Sequence, residues 1–328
     1  MINHQTPQQE RLLWEQHCCL PLTSTAEVTG LNRYSRRGGA YVSVNVGYAP
    51  HSQADSLGLL EYFRARIEAD SHLALAATVS DIDAAHRAGR TVVAFDLEDS
   101  GPLEGDLDMV QRFYDLGVRS LLPTYNLRNR AGSGCLDVVD EGLTRYGRDL
   151  VARLNEVGMF VDGSHCSART GLDLSAVSTS PMIYSHSGLR AVWDHPRNIT
   201  DDQALACAQT GGVIGLAGVG IFLGPNTATL DALIAQIEHA VELVGIDHVG
   251  LGSDYCFDGD DFNDEVARNP ELFPEAYTRW GPLRFIEPEG LLELEECLVA
   301  RGYPDEAVTA IFGGNFRRVA ETVWAASA

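Results

Sequence analysis

MFVDGSHCSARTGLDLSAVSTSPMIYSH, residues 159–186, contains two short β-rich runs, and each of them ends in a histidine, His165 or His186. A strand that stays apolar until a polar residue at its carboxyl end is typical of a (β/α)8 barrel. In such a barrel the carboxyl ends of all the strands face one pocket, so side chains far apart in sequence meet there. This stretch therefore favours a barrel and makes the other strand ends the first places to examine.

The same alternation continues in both directions along the chain. With 159–165 and 182–186, we predict strands at 17–22, 40–46, 91–98, 118–125, 212–218 and 248–254. Amphipathic helices are predicted at 54–69, 106–116, 146–156, 201–209 and 229–244. Strands that alternate with helices indicate a parallel α/β protein. A doubly wound sheet should carry a glycine-rich phosphate loop, which this sequence lacks. We therefore predict one (β/α)8 TIM-type barrel domain spanning residues 1–328.

Charge and composition exclude several classes of function. The chain has 46 acidic and 24 basic residues, a net charge of −22, which argues against nucleic-acid or anionic-membrane partners. All 24 basic residues are arginine, so Schiff-base, pyridoxal-phosphate, P-loop-lysine and carboxylated-lysine chemistry are excluded. The N-terminal segment has no signal-peptide core and no run reaches ~18 apolar residues, so we expect a cytoplasmic protein.

Three further strand ends carry residues of catalytic type: Glu98, Tyr125 and Asp254. Two histidines with a glutamate suit Zn²⁺ or a similar divalent ion. A bound metal lowers the pKa of water from ~15.7 to ~7, and Asp254 has the character of a general acid or base beside such a water. The motifs G-x-S-x-G and H-E-x-x-H do not occur, so serine-hydrolase and zincin chemistry have no support.

The predicted first strand adds a pair. His17 and Cys19 are two residues apart, so both side chains point to the same strand face, whereas Cys18 points away. Imidazole and thiolate both bind zinc. The alternative is that Cys19 is a packing residue, as most free cysteines are, and this alternative implies a single metal ion.

Other residues near the strand ends are ambiguous. Asp96 shares a strand face with the glutamate of its run and could orient a metal ligand. We expect Cys166 and Cys256 to pack in the barrel wall and His195 to be a solvated loop residue. The acidic run 258–265 is expected to be a solvated loop, with a lid over the pocket as the alternative.

Longer segments carry a resemblance to a known family: DGSHCS (162–167), YSHSGLRAVWDHPRNITDD (184–202), GLGSD (250–254) and GGNFRRV (313–319). With these segments the chain resembles the membrane (renal) dipeptidases, peptidase family M19, of the amidohydrolase superfamily. The resemblance implies a (β/α)8 barrel with two zinc-type ions bridged by a glutamate.

The resemblance also implies a role for each matching residue. Glu98 would bridge the ions, with His165 and His186 on one ion and His17 and Cys19 on the other. Asp254 would correspond to the proton-shuttling aspartate. Arg197 would bind the substrate carboxylate, for which an arginine fork is well suited.

Two positions depart from the family pattern. The family's H-x-D reads His17-Cys18-Cys19, and its T-H-N reads Thr124-Tyr125-Asn126. We predict a metal-dependent hydrolase that cleaves the amide bond of a dipeptide or a related small amide with a free carboxylate, with Tyr125 contacting the substrate. The alternatives are a one-metal amidohydrolase with another small substrate, or a binding-only barrel. We expect one or two zinc ions, with one favoured, and consider a homodimer.

Overall fold

The computed structural model describes residues 11–36 and 38–324, and its strands form a closed parallel barrel. The strands are β1 (Leu13–Cys19), β2 (Ala40–Asn45), β3 (Leu73–Leu75), β4 (Thr91–Leu97), β5 (Val118–Leu121), β6 (Phe160–Val161), β7 (Ile183–Ser187), β8 (Val213–Leu216), β9 (Val249–Leu251) and β10 (Tyr255–Cys256). Neighbours follow the order β6-β5-β4-β2-β1-β9-β8-β7, and a parallel bridge between Asp162 and Ile183 joins the two ends. The predicted (β/α)8 TIM-type barrel is confirmed. The short strands β3 and β10 lie beside β4 and β1.

Helices connect the strands around the outside. They are α1 (Gln53–Ala69), α2 (Val79–Ala88), α3 (Met109–Asp115), α4 (Arg145–Val157), α5 (Ala168–Val177), α6 (Asp201–Gln209), α7 (Gly220–Leu223), α8 (Leu230–Val244), α9 (Gly259–Arg268), α10 (Glu275–Thr278), α11 (Pro288–Ala300), α12 (Asp305–Thr309) and α13 (Asn315–Val323). Several begin at a Ser or Thr whose side chain accepts a backbone N–H of the first turn, as Thr144 does from Gly147. No helix in the described part of the chain is long and apolar enough to cross a membrane.

The hydrophobic core has an inner and an outer layer. Inside the amino-terminal end of the barrel, Trp14 stacks on Tyr41 with ring centroids 3.9 Å apart, and α13 closes this end with Phe316. Outward-facing strand residues such as Val42 and Phe95 pack beneath the helices. Aromatic side chains thus fill the amino-terminal end of the barrel. Polar side chains lie at the opposite end, where the strands have their carboxyl ends.

A β-bulge sets which residues of β1 face inward. Glu15 pairs with Val42 and Cys18 with Val44, so β1 holds one residue more than β2 over this interval. Below the bulge Trp14 faces the barrel interior, and above it His17 does. Bulges commonly re-aim side chains next to functional sites. The strand predicted at 17–22 begins at Leu13 and ends at Cys19, because neither the bulge nor the preceding buried residues could be recognised in the sequence.

Two further expectations need correction. The run 258–265 is not a loop: Asp258 accepts the backbone N–H of Asp261 at 3.0 Å and caps α9. His195 is not solvated, since it is 1% exposed and its Nε2 lies 3.2 Å from the carbonyl oxygen of Ala276. The sequence pattern did not predict the helices α2, α5, α7, α10, α11, α12 and α13 or the short strands β3 and β10. Residues 1–10, 37 and 325–328 of the predicted domain lie outside the described residues.

Candidate metal centre

Glu98 lies at the centre of a cluster of histidines. It follows β4 directly, and its Oε1 is 3.3 Å from the Nε2 atoms of His17, His165 and His186. The carboxylate is 5% exposed and all three rings are buried. Residues that belong to four different segments of the barrel therefore meet at one carboxylate oxygen, as the strand-end pattern predicted.

Hydrogen bonds fix the tautomers of two of these histidines. His165 Nδ1 lies 2.7 Å from Oδ1 of Asn126, and because an amide oxygen only accepts, Nδ1 carries the proton. His186 Nδ1 lies 2.7 Å from Oγ of Ser185, whose own proton points to Ser164. Both Nε2 atoms therefore carry lone pairs towards Glu98, an arrangement that recurs in metal-binding histidines.

Those two lone pairs face each other. His165 Nε2 and His186 Nε2 are 3.1 Å apart. Burial lowers the pKa of His165 to about 3 and also lowers the pKa of His186, so both rings are neutral, the form that binds metal. A cation between these nitrogens and Glu98 would satisfy all three ligand atoms. The residues fit a divalent transition-metal ion on this observation.

The third histidine lies in a more acidic environment. His17 Nδ1 is 3.1 Å from Oδ1 of Asp96, and Asp96 in turn accepts the hydroxyl of Ser43 at 2.6 Å. Burial lowers the pKa of His17, but Asp96 and Glu98 outweigh it, so the net direction is upward. This side of the centre therefore attracts positive charge. Asp96 thus lies beside the ring of His17, on the strand face that it shares with Glu98.

A second ligand position adjoins the first. His17, Cys19 and Glu98 offer ligand atoms that all lie within 4.8 Å of one another, and so do Glu98, His165 and His186. Cys19 Sγ is 3.5 Å from His17 Nε2, so the bulged strand does direct both side chains to one side. Glu98 belongs to both groups and lies where it could bridge two ions.

Asp254 completes the cluster from the end of β9. Its Oδ1 is 3.7 Å from His17 Nε2, and burial raises its pKa to about 7. Its φ is 57°, and that of His165 is 64°, both in the left-handed region that non-glycine residues rarely occupy. Backbone strain of this kind is concentrated at functional sites, where the surrounding structure maintains it.

Tyr125 covers one side of the cluster. Its ring stacks on His165 with centroids 4.1 Å apart, and its backbone N–H donates to Asp99 Oδ2 at 2.6 Å. Burial raises the pKa of the Tyr125 hydroxyl, which therefore remains a hydrogen-bond donor. The side chain lines the cavity above the cluster, so it is available to a substrate.

Arg197 lies behind His186 and not in the cavity wall. Its guanidinium donates to the backbone oxygen of His186 at 2.8 Å and to Ser187 Oγ at 3.2 Å. It is 1% exposed, its Nε has no hydrogen-bond partner, and none of the described residues places a carboxylate within 4.0 Å of it. The positive charge of Arg197 contributes to the low pKa values of His165 and His186.

A cavity of about 340 Å³ opens above the cluster. Its lining includes ligand candidates, aromatic side chains and one face of α9: Cys19, Tyr48, Glu98, Tyr125, Cys256, Asp261, Phe262, Glu265 and Arg268. A smaller cavity of about 30 Å³ connects Glu98 and Tyr125 with His165 and Asp254. The acidic run 258–265 therefore borders the pocket, the position that the alternative interpretation of this run as a lid requires. Cys256 faces the cavity and not the wall, whereas Cys166 packs against Thr124 as expected.

Several residues that hydrogen-bond to the candidate ligands or to their backbone were not predicted from the sequence. Asn126 and Ser185, which orient the histidines, each lie beside a residue that the strand-end pattern singled out. Glu15 is fully buried, with its Oε1 accepting the backbone N–H groups of Ser253 and His17. Nothing in the local sequence distinguishes this glutamate from a solvated one, because the bulge that buries it has no sequence signature.

Comparison with known proteins gives a consistent result. Residues 33–281 match the sequence family described as membrane dipeptidase, peptidase family M19. The chain is 30% identical over 263 residues to an uncharacterised protein in the pqqA 5′ region of Klebsiella pneumoniae, covering 77% of this chain and 89% of that one. It is 34% identical over 186 residues to an uncharacterised dipeptidase of Schizosaccharomyces pombe, covering 54% of this chain and 45% of the yeast protein, so it matches about half of that relative.

Solved structures share the whole barrel. The crystal structure of an amidohydrolase from Pseudomonas aeruginosa superposes with a TM-score of 0.84 at 25% identity, covering 96% of this chain and 97% of the other. A metallo peptidase from Rhodobacter sphaeroides, liganded with a phosphinate mimic of the dipeptide L-Ala-D-Ala, gives a TM-score of 0.76 at 19% identity, covering 96% and 99%. At that identity the second likeness concerns the fold alone.

Proposed function

The chain belongs to the membrane dipeptidase family, peptidase family M19, and from that premise we propose that it cleaves the amide bond of a dipeptide or a related small amide with a free carboxylate. The observation that carries the proposal is the convergence of three imidazole Nε2 atoms on Glu98 Oε1, each at 3.3 Å. The match to the membrane dipeptidase family and the dipeptidase among the sequence relatives support this substrate class.

Zinc is the ion we propose, because imidazole, carboxylate and thiol are ligands that it accepts. His165, His186 and Glu98 would hold one ion, and His17, Cys19 and Glu98 would hold a second. When bound, such an ion supplies Lewis acidity and a water of lowered pKa. We expect one well-occupied position, the His165–His186 one. At the other, a hydrogen bond with Cys256 and burial raise the pKa of the Cys19 thiol, which makes its proton harder to displace.

Asp254 moves the proton in this proposal. Its raised pKa of about 7 matches an operating pH near neutrality, where a general base is most effective. The carboxylate of Asp254 takes a proton from the attacking water and delivers it to the amide nitrogen of the leaving group. It borders the smaller cavity together with Glu98 and Tyr125, so the scissile bond would lie between these side chains.

Tyr125 and Arg197 bind the substrate in this proposal. The Tyr125 hydroxyl would donate a hydrogen bond to the oxygen of the scissile carbonyl as negative charge develops there. Arg197 would neutralise the terminal carboxylate of the substrate once its guanidinium, which lies behind His186 and outside the cavity lining, moves towards the cavity. The competing role for Arg197 is structural, because it already binds the backbone oxygen of His186.

The altered ligand Cys19 and the tyrosine at position 125 favour a second candidate within the same chemistry. The thiol of Cys19 is a softer ligand than a carboxylate and makes the second metal position weaker, and the Tyr125 hydroxyl is a neutral donor to the oxyanion. Both features would suit a one-metal amidohydrolase that acts on a different small amide. The two candidates differ in metal stoichiometry and in the substrate hydrolysed, so a single set of measurements separates them.

The test begins with protein purified without chelators. Metal content is measured for the wild type, for His186→Ala and for the control His72→Ala, whose side chain is 80% exposed. We expect zinc in the wild type and the control, most of it lost in His186→Ala, and hydrolysis of at least one member of a panel of L,L and L,D dipeptides. Full occupancy in His186→Ala would remove the assigned site. Zinc-loaded protein that cleaves none of the dipeptides but does cleave another N-acyl amide would favour the second candidate.

A further inference from the structure

Two thiols face each other at the rim of the candidate metal centre. The short strand β10 pairs in parallel with the end of β1, and its register places Cys256 directly opposite Cys19. Both residues line the 340 Å³ cavity. Both cysteines are free thiols, and their side chains interact closely enough for Cys256 to raise the pKa of Cys19.

The spacing of the two backbones suits a covalent link. Adjacent strands lie about 4.7–4.9 Å apart, and disulfides join Cα atoms that are about 4.4–6.8 Å apart. Because Cys19 and Cys256 are register partners and face the same cavity, joining their sulfur atoms requires no change of strand pairing. The cavity also gives a small oxidant a route to both sulfur atoms.

One of the two sulfur atoms has a second candidate partner. Cys19 Sγ lies 3.5 Å from His17 Nε2 and within the ligand group that contains Glu98. A thiolate can donate to a metal ion, whereas a disulfide sulfur has lost that charge. Metal binding and disulfide formation therefore compete for the same atom.

We propose that Cys19 and Cys256 form a reversible disulfide with a peroxide as oxidant, and that this bond excludes a metal ion from the His17–Cys19 position. The second clause rests on the proposed function, whereas the first does not. One thiol loses its proton and attacks hydrogen peroxide; the O–O bond breaks, the sulfur retains one hydroxyl as a sulfenic acid, and the other hydroxyl takes up the lost proton and leaves as water. The other thiol then attacks the sulfenic sulfur, the S–S bond forms, and a second water leaves. The two thiols supply both electrons, and a dithiol reductant reverses the reaction.

The experiment uses the full-length protein as purified and after addition of zinc. Each form is treated with a small excess of hydrogen peroxide, denatured, and measured by thiol titration and by peptide mapping. We expect two fewer titratable thiols than the seven cysteines of the chain, a Cys19–Cys256 linked peptide, and recovery of both thiols with dithiothreitol. Cys256→Ser should form no such link, whereas the control Cys297→Ser, altered at a cysteine on α11, should behave as the wild type.

Metal content gives the second readout. Zinc-loaded wild type should lose the more weakly held equivalent on oxidation and regain it on reduction, and the protein pre-loaded with zinc should form the link several-fold more slowly. Absence of the linked peptide from the oxidised, metal-free protein would overturn the inference, and so would full zinc retention by a completely linked protein. Protein that holds no zinc in any state but forms the link would contradict the proposed function alone.

Discussion

The carboxylate of Glu15 accepts a hydrogen bond from the backbone N–H of Ser253 at 2.6 Å. The same oxygen accepts the backbone N–H of His17 at 3.2 Å. One buried side chain thus joins the bulged strand that carries His17 to the loop that carries Asp254. The relative position of a candidate metal ligand and the candidate proton carrier depends on this glutamate, which does not itself line either cavity.

Glu15→Ala should destabilise the protein, because two buried N–H groups lose their acceptor. The expected loss is about 1–3 kcal/mol for each unsatisfied group, measured by urea unfolding. Glu15→Gln keeps an acceptor oxygen and should lose less. Exposed Glu242 on α8 provides a matched control, and Glu242→Gln should leave the unfolding free energy within about 0.5 kcal/mol of wild type.

Glu15 should also affect how stability depends on pH. Burial raises its pKa from 4.5 to about 7, so between these values the folded protein binds more protons than the unfolded chain. The contribution of Glu15 to the unfolding free energy therefore falls as pH rises through this window. Glu15→Gln should flatten the fall relative to Glu242→Gln. Identical pH profiles for the two variants would show that Glu15 does not titrate in this range.

Tyr125→Phe should lower kcat by about 10²–10³-fold if the hydroxyl donates to the developing oxyanion. KM should change little, because stacking of the ring on His165 is retained. Steady-state kinetics on the best dipeptide provide the measurement. Loss confined to KM would place the hydroxyl in ground-state binding, and unchanged kinetics would leave Tyr125 as a packing residue.

Arg197→Met tests whether Arg197 binds the terminal carboxylate of the substrate, a group that the C-terminal amide of the same substrate lacks. Wild type should prefer the free acid in kcat/KM by roughly 1.5–3 kcal/mol, the range for one charged hydrogen-bonding contact, and the variant should lose that preference. The exposed Arg284 provides the control substitution Arg284→Met. If Arg197 only positions His186 through its backbone oxygen, acid and amide will slow by the same factor.

Cys19→Asp restores the H-x-D pattern of the family at the second ligand position. A carboxylate is ionised at neutral pH without metal. The variant as purified, without added zinc, should therefore hold about one more equivalent of zinc than the wild type as purified, and should show increased dipeptide turnover. Metal analysis and hydrolysis assays measure the two effects. A wild type that already binds two ions, with neither stoichiometry nor rate changed by the substitution, would show that Cys19 is itself an effective ligand.

The barrel and most of its candidate centre could be predicted because polar residues stand where apolar runs end. His165, His186 and Glu98 meet as that rule requires. The bounds of β1 could not be predicted, since a bulge interrupts the alternation between Glu15 and Cys18. The pairing of Cys19 with Cys256 was equally hidden, because a two-residue strand such as β10 has no hydrophobic period. The position of Arg197 depends on the path of a loop, which no local pattern encodes.

Closure of the barrel between β6 and β7 has a consequence for its dynamics. These neighbours share a single bridge, from Asp162 to Ile183, whereas β2 and β4 pair through six residues of each strand. The carboxylate of Asp162 compensates by accepting the N–H groups of Ser164 and Ser185. Local opening and amide hydrogen exchange at this junction should therefore be faster than in the long ladder between β2 and β4. His165 and His186 lie one on each side of the junction between β6 and β7. An ion bound to both histidines would therefore hold these two strands together.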